Sequence, residues 1–178
     1  MDAIAAQTSI VDNYRYNDYI EEVVQSIQSE IQQTKPFNTL EEEALVSLQR
    51  TADRLQWRMS EMLKAHDLTP TQYNALRILR GARKEGRSCS EIAERMINRD
   101  PDITRLVDRL ERRGLVARSR EGRDRRVITT RITAAGLKLL ESLDRPVEQF
   151  NRQLLGPLGE QTLTTLIQLL DTVRARSE

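Results

Sequence analysis

Residues 101–116 read PDITRLVDRLERRGLV, and this stretch decides the fold. Apolar side chains occupy positions 103, 106, 107 and 110, the i, i+3, i+4, i+7 spacing of a helix with one buried face. Asp100 and Pro101 predict its start, because an acidic N-cap and a proline in the first turn are common there. Gly114 predicts its end as a C-cap residue. We therefore expect an amphipathic helix with a polar outer face.

Two capping boxes predict two further helices before this one. The segment TPTQ at 69–72 places a threonine N-cap before a proline, and its helix should run to about Arg83. The segment SCSE at 88–91 opens a short second helix in the same way. The core candidates of the first helix are Tyr73, Leu76, Ile78 and Leu79. Those of the second are Ile92, Ala93 and Met96.

Beyond Gly114 the apolar pattern changes to two short runs of strand-forming residues, Leu115–Arg120 and Val127–Ile132. A polar turn, EGRDRR at 121–126, separates the two runs. Three short helices followed by a two-stranded hairpin predict a winged helix-turn-helix, that is, a three-helix core with a two-stranded β-wing.

Longer helices are predicted on both sides of this core, so the fold class is mainly α. One is expected from Ile10 to about Gln33, and another from an N-cap at Thr39, with Glu42 at N3, to about His66. After the hairpin, Thr133 should cap a helix to about Leu155, and Gly159–Arg176 should form the last one. Trp57 lies off the apolar stripe of its helix, which indicates a helix covered on two sides, as in a dimer.

The formal net charge is only +1, but the basic residues are concentrated. Residues 77–131 hold 17 basic side chains, of which 16 are arginines, against nine acidic ones. Such a segment attracts a polyanion to one part of the molecule, and arginine suits phosphates and base edges. The alternative is an ordinary solvated helix surface that is rich in arginine.

The outer face of the 101–113 helix is the first candidate contact with duplex DNA, because the start of a recognition helix approaches base edges first. The residues nominated there are Arg99, Asp102, Thr104 and Arg105. Arg105 suits the O6 and N7 atoms of guanine, and Asp102 suits the amine of cytosine. Arg109 and Arg112 lie further along, where we expect them to touch phosphate or to pair with Asp108.

The hairpin tip is the second candidate contact, because arginines at a wing tip suit the narrow minor groove. Asp124 is placed to hold Arg126 in one rotamer, which lowers the entropy lost on binding. A solvated turn is the alternative for this pair. The helix starts at Thr69 and Ser88 are further candidates for phosphate binding through free N–H groups. The remaining nominated residues are Ser90, Arg123 and Arg125.

Three segments together resemble the MarR family of winged-helix regulators. They are LTPTQYNALRILRGARKEGRSCSEIAERM at 68–96, DITRLVDRLERRGLV at 102–116 and DRRVITTRITAAGLKLLE at 124–141. The likeness covers about residues 39–176 and includes the wing motif of Asp, any residue, Arg at 124–126. It implies a transcription regulator, expected to be a repressor, that binds double-stranded DNA as a homodimer.

The same resemblance implies a separate role for each part of the chain. Residues 67–133 would be the DNA-binding domain, 39–66 a dimerisation and linker helix, and 134–178 the C-terminal dimerisation helices. Residues 1–38 would be an N-terminal extension with one helix, either a packing element or a partner-binding arm. The family also implies a small aromatic or phenolic effector, for which the candidate pocket residues are Trp57, His66 and Tyr73.

Several single residues allow two interpretations. Cys89 is either a redox sensor, with its pKa lowered by the helix start and Arg87, or an inert small residue. His66 either lines the pocket or binds metal, although the chain has no second histidine. Trp57 is either a core or dimer residue or a wall of the effector pocket.

Other function classes are disfavoured by composition. With one cysteine, one histidine and no glycine-rich loop, the usual catalytic groupings are missing, so we expect no enzyme, cofactor or metal. A winged-helix module for protein–protein contact or RNA binding is the remaining alternative. The lone cysteine and the lack of a signal peptide or long apolar run favour the cytoplasm, with no membrane association.

Overall fold

The computed structural model of the chain describes residues 25–82, 84–98, 102–120 and 128–177. The chain divides into two compact units, residues 1–59 and 60–178. One long helix begins in the first unit and ends in the second.

The described residues form seven helices and two strands. The helices are α1 (Ile27–Glu30), α2 (Leu40–Lys64), α3 (Pro70–Ala82), α4 (Cys89–Arg95), α5 (Ile103–Arg112), α6 (Ala134–Leu155) and α7 (Gly159–Ala175), and the strands are β1 (Val116–Ser119) and β2 (Thr129–Ile132). A single 3₁₀ turn, Gly156–Leu158, separates α6 from α7, as expected from the Gly-Pro pair there.

The core lies in the unit formed by residues 60–178. Helix α3 packs against α4, α6 and β2, and α5 packs against α4 and β1. The large aliphatic side chains that are entirely shielded from solvent are Leu63, Leu76, Leu79, Ile92, Val107, Leu110, Leu140 and Leu143. Burial of each such aliphatic side chain contributes about 1.5–3 kcal/mol relative to exposure. Packing on several sides therefore holds α5 in place.

The predicted amphipathic helix is present, but it begins later than the sequence pattern indicated. Its N-cap is Asp102, whose carboxylate accepts a hydrogen bond from the backbone N–H of Arg105 at 3.1 Å. The predicted start at Asp100 and Pro101 is wrong, because the second aspartate satisfies the free N–H groups of the first turn. Those two residues lie outside the described part of the chain.

The end of α5 agrees with the prediction. Gly114 has φ +67°, a left-handed conformation that glycine adopts without steric cost. The N–H of Leu115 bonds to the carbonyl of Leu110 at 3.0 Å, and that of Gly114 to the carbonyl of Glu111 at 2.8 Å. These two bonds form a Schellman motif, which fixes the direction in which the chain enters β1.

The caps of α3 and α4 are confirmed in detail. Thr69 and Gln72 exchange hydrogen bonds at 3.1 and 3.2 Å, and Ser88 and Glu91 form the same reciprocal box. At α2 the Thr39 hydroxyl accepts from the N–H of Glu42, but the Glu42 carboxylate accepts from the N–H of Asn38 instead of Thr39. The expected box at Thr39 is therefore only half formed.

Two core candidates are less buried than predicted. Ala93 is exposed on the outer face of α4, and Ile78 is half-buried on α3. The remaining candidates on these helices, namely Tyr73, Leu76, Leu79, Ile92 and Met96, are buried. Helical spacing locates a stripe but leaves the residues at its edges undecided, because those positions depend on the neighbouring element.

The two strands form an antiparallel hairpin, with Val116 paired to Ile132 and Ser119 paired to Thr129. The turn at 121–127 lies outside the described residues. On its other edge β2 pairs with Arg87, through N–O distances of 2.9 and 2.8 Å with Thr130. The start of α4 is therefore tied by backbone hydrogen bonds to the hairpin.

The predicted helix from Ile10 to Gln33 differs from the structure in its described part. Gln25 and Ser26 are not helical, and the Ser26 hydroxyl accepts from the N–H of Ser29 as the N-cap of the short α1. A serine that caps a helix competes with helix continuation through its own position. Residues 10–24 of this prediction lie outside the described part.

Gly136, in the first turn of α6, provides a stability test. A Cβ atom there would lie 2.3 Å from the carbonyl oxygen of Leu115 and 2.7 Å from a side-chain carbon of Ile132. We expect Gly136→Ala to destabilise the fold by about 1–3 kcal/mol, although alanine is the better helix former. Urea unfolding followed by circular dichroism measures the change.

Gly81→Ala is the matched control. A Cβ atom at Gly81 in α3 would meet nothing within 4 Å, so that alanine should stabilise by up to about 1 kcal/mol. Equal effects of the two substitutions would contradict the close approach of α6 to the Leu115 carbonyl.

Candidate nucleic-acid interface

The outer face of α5 carries the nominated side chains. Because Ile103, Leu106, Val107 and Leu110 take the buried face, the residues between them are turned outward. Those that are exposed include Thr104, Arg105, Arg109 and Arg112. Within the described ranges, Arg109 has neither a hydrogen-bond nor an ion-pair partner, so its guanidinium is available to a ligand.

Asp102 has two contacts that bear on its predicted role. One carboxylate oxygen caps α5, and the other lies 3.2 Å from the Nε atom of Arg105. Both side chains of this pair are more than half exposed, so the ion pair is weak and easily exchanged for another partner. The pair orients the Arg105 guanidinium at the start of the helix.

A groove of about 380 Å³ lies between the start of α3 and the outer face of α5. Its walls are formed by Thr69, Thr71, Gln72, Asn98, Asp102, Arg105, Leu106 and Arg109. The first N–H groups of a helix have no partner within that helix. At the start of α3, Pro70 has no N–H and that of Gln72 donates to the Thr69 hydroxyl, so the N–H of Thr71 is the one that this helix start offers to the groove. Arginines of α5 therefore form one wall of the groove, and the start of α3 forms the other.

The other nominated DNA contacts are placed as follows. Ser90 is exposed in the first turn of α4. Arg99 and the four wing residues Arg123, Asp124, Arg125 and Arg126 lie outside the described residues, so they stay predictions.

A network that the sequence analysis missed joins α5 to β1. Arg118 donates to Glu111 through Nε at 2.8 Å, and its Nη1 lies 2.7 Å from an Asp108 carboxylate oxygen. The expectation that Asp108 pairs with Arg109 or Arg112 is wrong for its carboxylate. Arg112 instead donates to the backbone carbonyl of Asp108 at 3.4 Å.

This network also affects ionisation. The hydrogen bond from Arg118 holds the pKa of Glu111 below its ordinary value, and the same bond raises the pKa of Arg118. The Glu111 carboxylate is therefore charged whenever the pH is above the usual range for glutamate. Arg118 lies in β1, so helical spacing does not relate it to Asp108 or Glu111, and only the packing of β1 on α5 reveals these contacts.

A second arginine holds the end of α5. Arg113 donates to the backbone carbonyl of His66 at 3.2 Å. It also donates to the backbone carbonyl of Asp67, at a shorter distance. Asp67 has φ +52° in the turn between α2 and α3. The end of α5 is thus connected by side-chain hydrogen bonds to this turn.

The three candidate effector residues have different environments. Trp57 is 63% exposed, His66 is half-buried and Tyr73 is only 7% exposed. Burial raises the pKa of the Tyr73 hydroxyl, and the Arg77 guanidinium lies 5.8 Å from the centre of its ring. No group of three or more candidate metal ligands occurs among the described residues, which include His66.

The environment of Cys89 does not fit the sensor interpretation. Burial raises the pKa of its thiol, against the opposing effect of the Arg118 charge. The sensor interpretation requires a lowered pKa, but desolvation of the thiolate outweighs the nearby positive charge. The inert interpretation of Cys89 is favoured.

Comparison with known proteins gives consistent matches. The sequence profile of the MarR family matches residues 68–128. The HTH-type transcriptional repressor MdtR of Bacillus subtilis is 36% identical over 103 residues, which cover 57% of this chain and 64% of MdtR, just under two thirds of its length.

Two solved structures extend the match. A MarR transcription factor from Planctomyces limnophilus is 43% identical, with a TM-score of 0.59 over 77% of this chain and 99% of that chain. The chain belongs to the MarR family. The PcaV transcriptional regulator of Streptomyces coelicolor, solved in complex with its natural ligand, is 27% identical, with a TM-score of 0.61 over 72% of this chain and 92% of PcaV.

Membership of the MarR family confirms the resemblance drawn from the sequence and the mainly helical winged-helix fold. MarR proteins are transcription regulators, so the expectation that the chain is not an enzyme is confirmed as well. Within the described ranges, every helix is too short or too polar to cross a membrane.

The raised pKa of Cys89 predicts slow alkylation. Only the thiolate attacks iodoacetamide, so the folded chain should react more slowly at neutral pH than the urea-unfolded chain. The pH midpoint of the rate should also be higher in the folded chain. Mass spectrometry measures the modification cleanly because the chain has one cysteine. A folded midpoint below the unfolded one would restore the sensor interpretation.

Proposed function

We propose that this MarR-family chain is a sequence-specific duplex-DNA-binding transcription regulator, a repressor that a small-molecule effector releases. The exposed arginine face of α5, with the groove beside it, is the observation that carries the proposal. Arginines at this density beside a helix start suit the regular phosphate spacing of duplex DNA.

Helix α5 would enter the major groove by its outer face. Arg105, at the start of the helix, would exchange its weak pair with Asp102 for the edge of a guanine. Arg109 lies one turn further along and faces the groove next to α3, where a backbone phosphate would lie between its guanidinium and the Thr71 N–H. Thr104 and Ser90 are further candidate contacts.

The hairpin would supply the second contact. Arg123, Arg125 and Arg126 would reach the minor groove, with Asp124 holding Arg126 in place. The antiparallel pairing of β1 with β2, and of β2 with Arg87, supports this because it gives the tip a rigid base. We retain residues 67–133 as the DNA-binding domain.

A homodimer is the assembly that the flanking helices support. All of α7 is described, and none of its residues is buried, although Ile167, Leu169 and Val173 are 47–59% exposed apolar side chains. An apolar stripe of this kind marks an interaction surface, and a second copy of the chain is the occupant that we propose. Helix α2 likewise exposes Leu45 and Trp57.

Control by a small aromatic or phenolic effector is a further part of the proposal. It is supported by the relative PcaV, which was solved with its natural ligand. A ligand shifts the DNA-binding equilibrium only if it binds the two forms of the protein unequally. Trp57, His66 and Tyr73 remain the residues that we propose for its recognition.

Salt dependence tests the DNA-binding proposal. The logarithm of the association constant for duplex DNA should fall with the logarithm of salt concentration, by about 0.9 per phosphate neutralised. Arg109→Gln should weaken binding and reduce this slope by about 1. Fluorescence anisotropy with a labelled duplex measures both quantities.

Arg152→Gln is the matched control, because it removes the same charge from α6, where Arg152 is 78% exposed and paired with Glu148. The control should leave the slope unchanged. A flat salt dependence in the unmodified chain would instead favour a module for protein–protein contact.

Charge placed on α7 tests the dimer. Ile167→Glu should shift the chain towards monomer, because a carboxylate would be buried without a partner in the interface. Gln168→Glu places the same charge on the polar face of the helix, beside Thr164 and Thr172, and should leave the dimer intact. Sedimentation equilibrium distinguishes monomer from dimer. A dimer that tolerates both substitutions would exclude this face of α7 as the dimer interface.

A further inference from the structure

Arg118 in β1 contacts two carboxylates of α5 at once. Its Nε donates to Glu111 at 2.8 Å, its Nη2 reaches the same oxygen, and its Nη1 lies 2.7 Å from Asp108. The backbone N–H of Arg118 also donates to the other Glu111 oxygen at 3.1 Å. The side chain is 28% exposed, so it is partly shielded from competing water.

These contacts constrain the rotation of α5 about its axis. Asp108 and Glu111 are three residues apart and lie on the same flank of the helix. A planar guanidinium that bridges both has one orientation in which all its bonds are satisfied. Thr104 lies one turn before Asp108 on that flank, so its direction relative to the hairpin follows from the same bridge.

The contacts of Arg118 also change the charge that α5 presents to DNA. Two carboxylates on a helix that approaches phosphates would repel the DNA, since like charges repel each other. Arg118 pairs with both carboxylates and offsets one of their two negative charges, and its own side chain is occupied by them. Its occupied guanidinium contrasts with that of Arg109, which faces the groove.

We propose that Arg118 is a positioning residue for DNA recognition, which acts through Asp108 and Glu111 rather than by touching DNA. The inference rests on the proposed DNA-binding function. It assigns to β1 a role in setting the angle between the recognition helix and the wing, so that both contacts fit one duplex together.

The fold itself does not depend on this network. The junction between α5 and β1 is already held by the Schellman bonds and by the burial of Leu110, Leu115 and Val116. Loss of Arg118 should therefore change orientation and charge on α5 while the hydrophobic core stays intact.

A double-mutant cycle tests the proposal. Arg118→Gln is measured in the unmodified background and in the Asp108→Asn, Glu111→Gln background, with a duplex selected from a random library by the unmodified chain. We expect Arg118→Gln to weaken binding about tenfold in the first background and under about threefold in the second, because coupled residues lose their additivity. The salt slope should stay unchanged.

Three outcomes would overturn the inference. They are an unchanged affinity, an equal loss in both backgrounds, and a slope reduced by about 0.9, which would mean a direct phosphate contact. Failure of the unmodified chain to bind any duplex would overturn the proposed function together with the inference, and is thereby distinguished from these three.

Two further variants keep the test decisive. Arg80→Gln breaks a comparable ion pair, at 2.9 Å from Asp144 between α3 and α6, and should leave the affinity unchanged. If thermal melting shows that Arg118→Gln does not fold, Arg118→Lys takes its place in the cycle. Lysine keeps the positive charge but lacks the planar guanidinium that bonds to two carboxylates at once. We therefore expect a smaller coupling between residue 118 and the two carboxylates, with the same sign, and zero coupling overturns the proposal.

Discussion

Burial of one face of α5 is the constraint on which the rest of the structure depends. Leu106, Val107 and Leu110 are held against the neighbouring helices and β1, so the arginines between them have to point outward. A helix that is amphipathic in this way cannot rotate without exposing its leucines or burying its charges. The direction of Arg105 and Arg109 is therefore a consequence of hydrophobic packing.

The position of α5 along its axis is held by polar contacts at both ends. Asp102 caps its start, the Schellman motif at Gly114 directs the chain into β1, and Arg113 connects its end to the turn before α3. Arg118 then bridges the helix to the hairpin. These contacts make the helix and the base of the wing one mechanical unit, as binding to two grooves of one duplex requires.

Much of this was predictable because it depends on neighbours in sequence. The caps at Thr69, Ser88 and Thr133 follow from side chains that reach their own helix start, and helical spacing located the buried face of α5. The start of α5 was misplaced because two aspartates compete for one cap. The sequence left two interpretations of Cys89 open, because the burial of its thiol and the charges near it depend on residues such as Asp108 and Arg118 that are remote in sequence.

The sequence by itself determined the order of the elements from α2 onward, the caps of α3, α4 and α6, the outward arginine face and the family, since these depend on local hydrogen bonding and on the period of the helix. Only the tertiary structure decided which charges compensate each other, which wall faces Arg109, and how the thiol ionises. The physical reason is that a salt bridge or a desolvation penalty depends on distances between elements, and residues 108, 111 and 118 become neighbours only when β1 packs on α5.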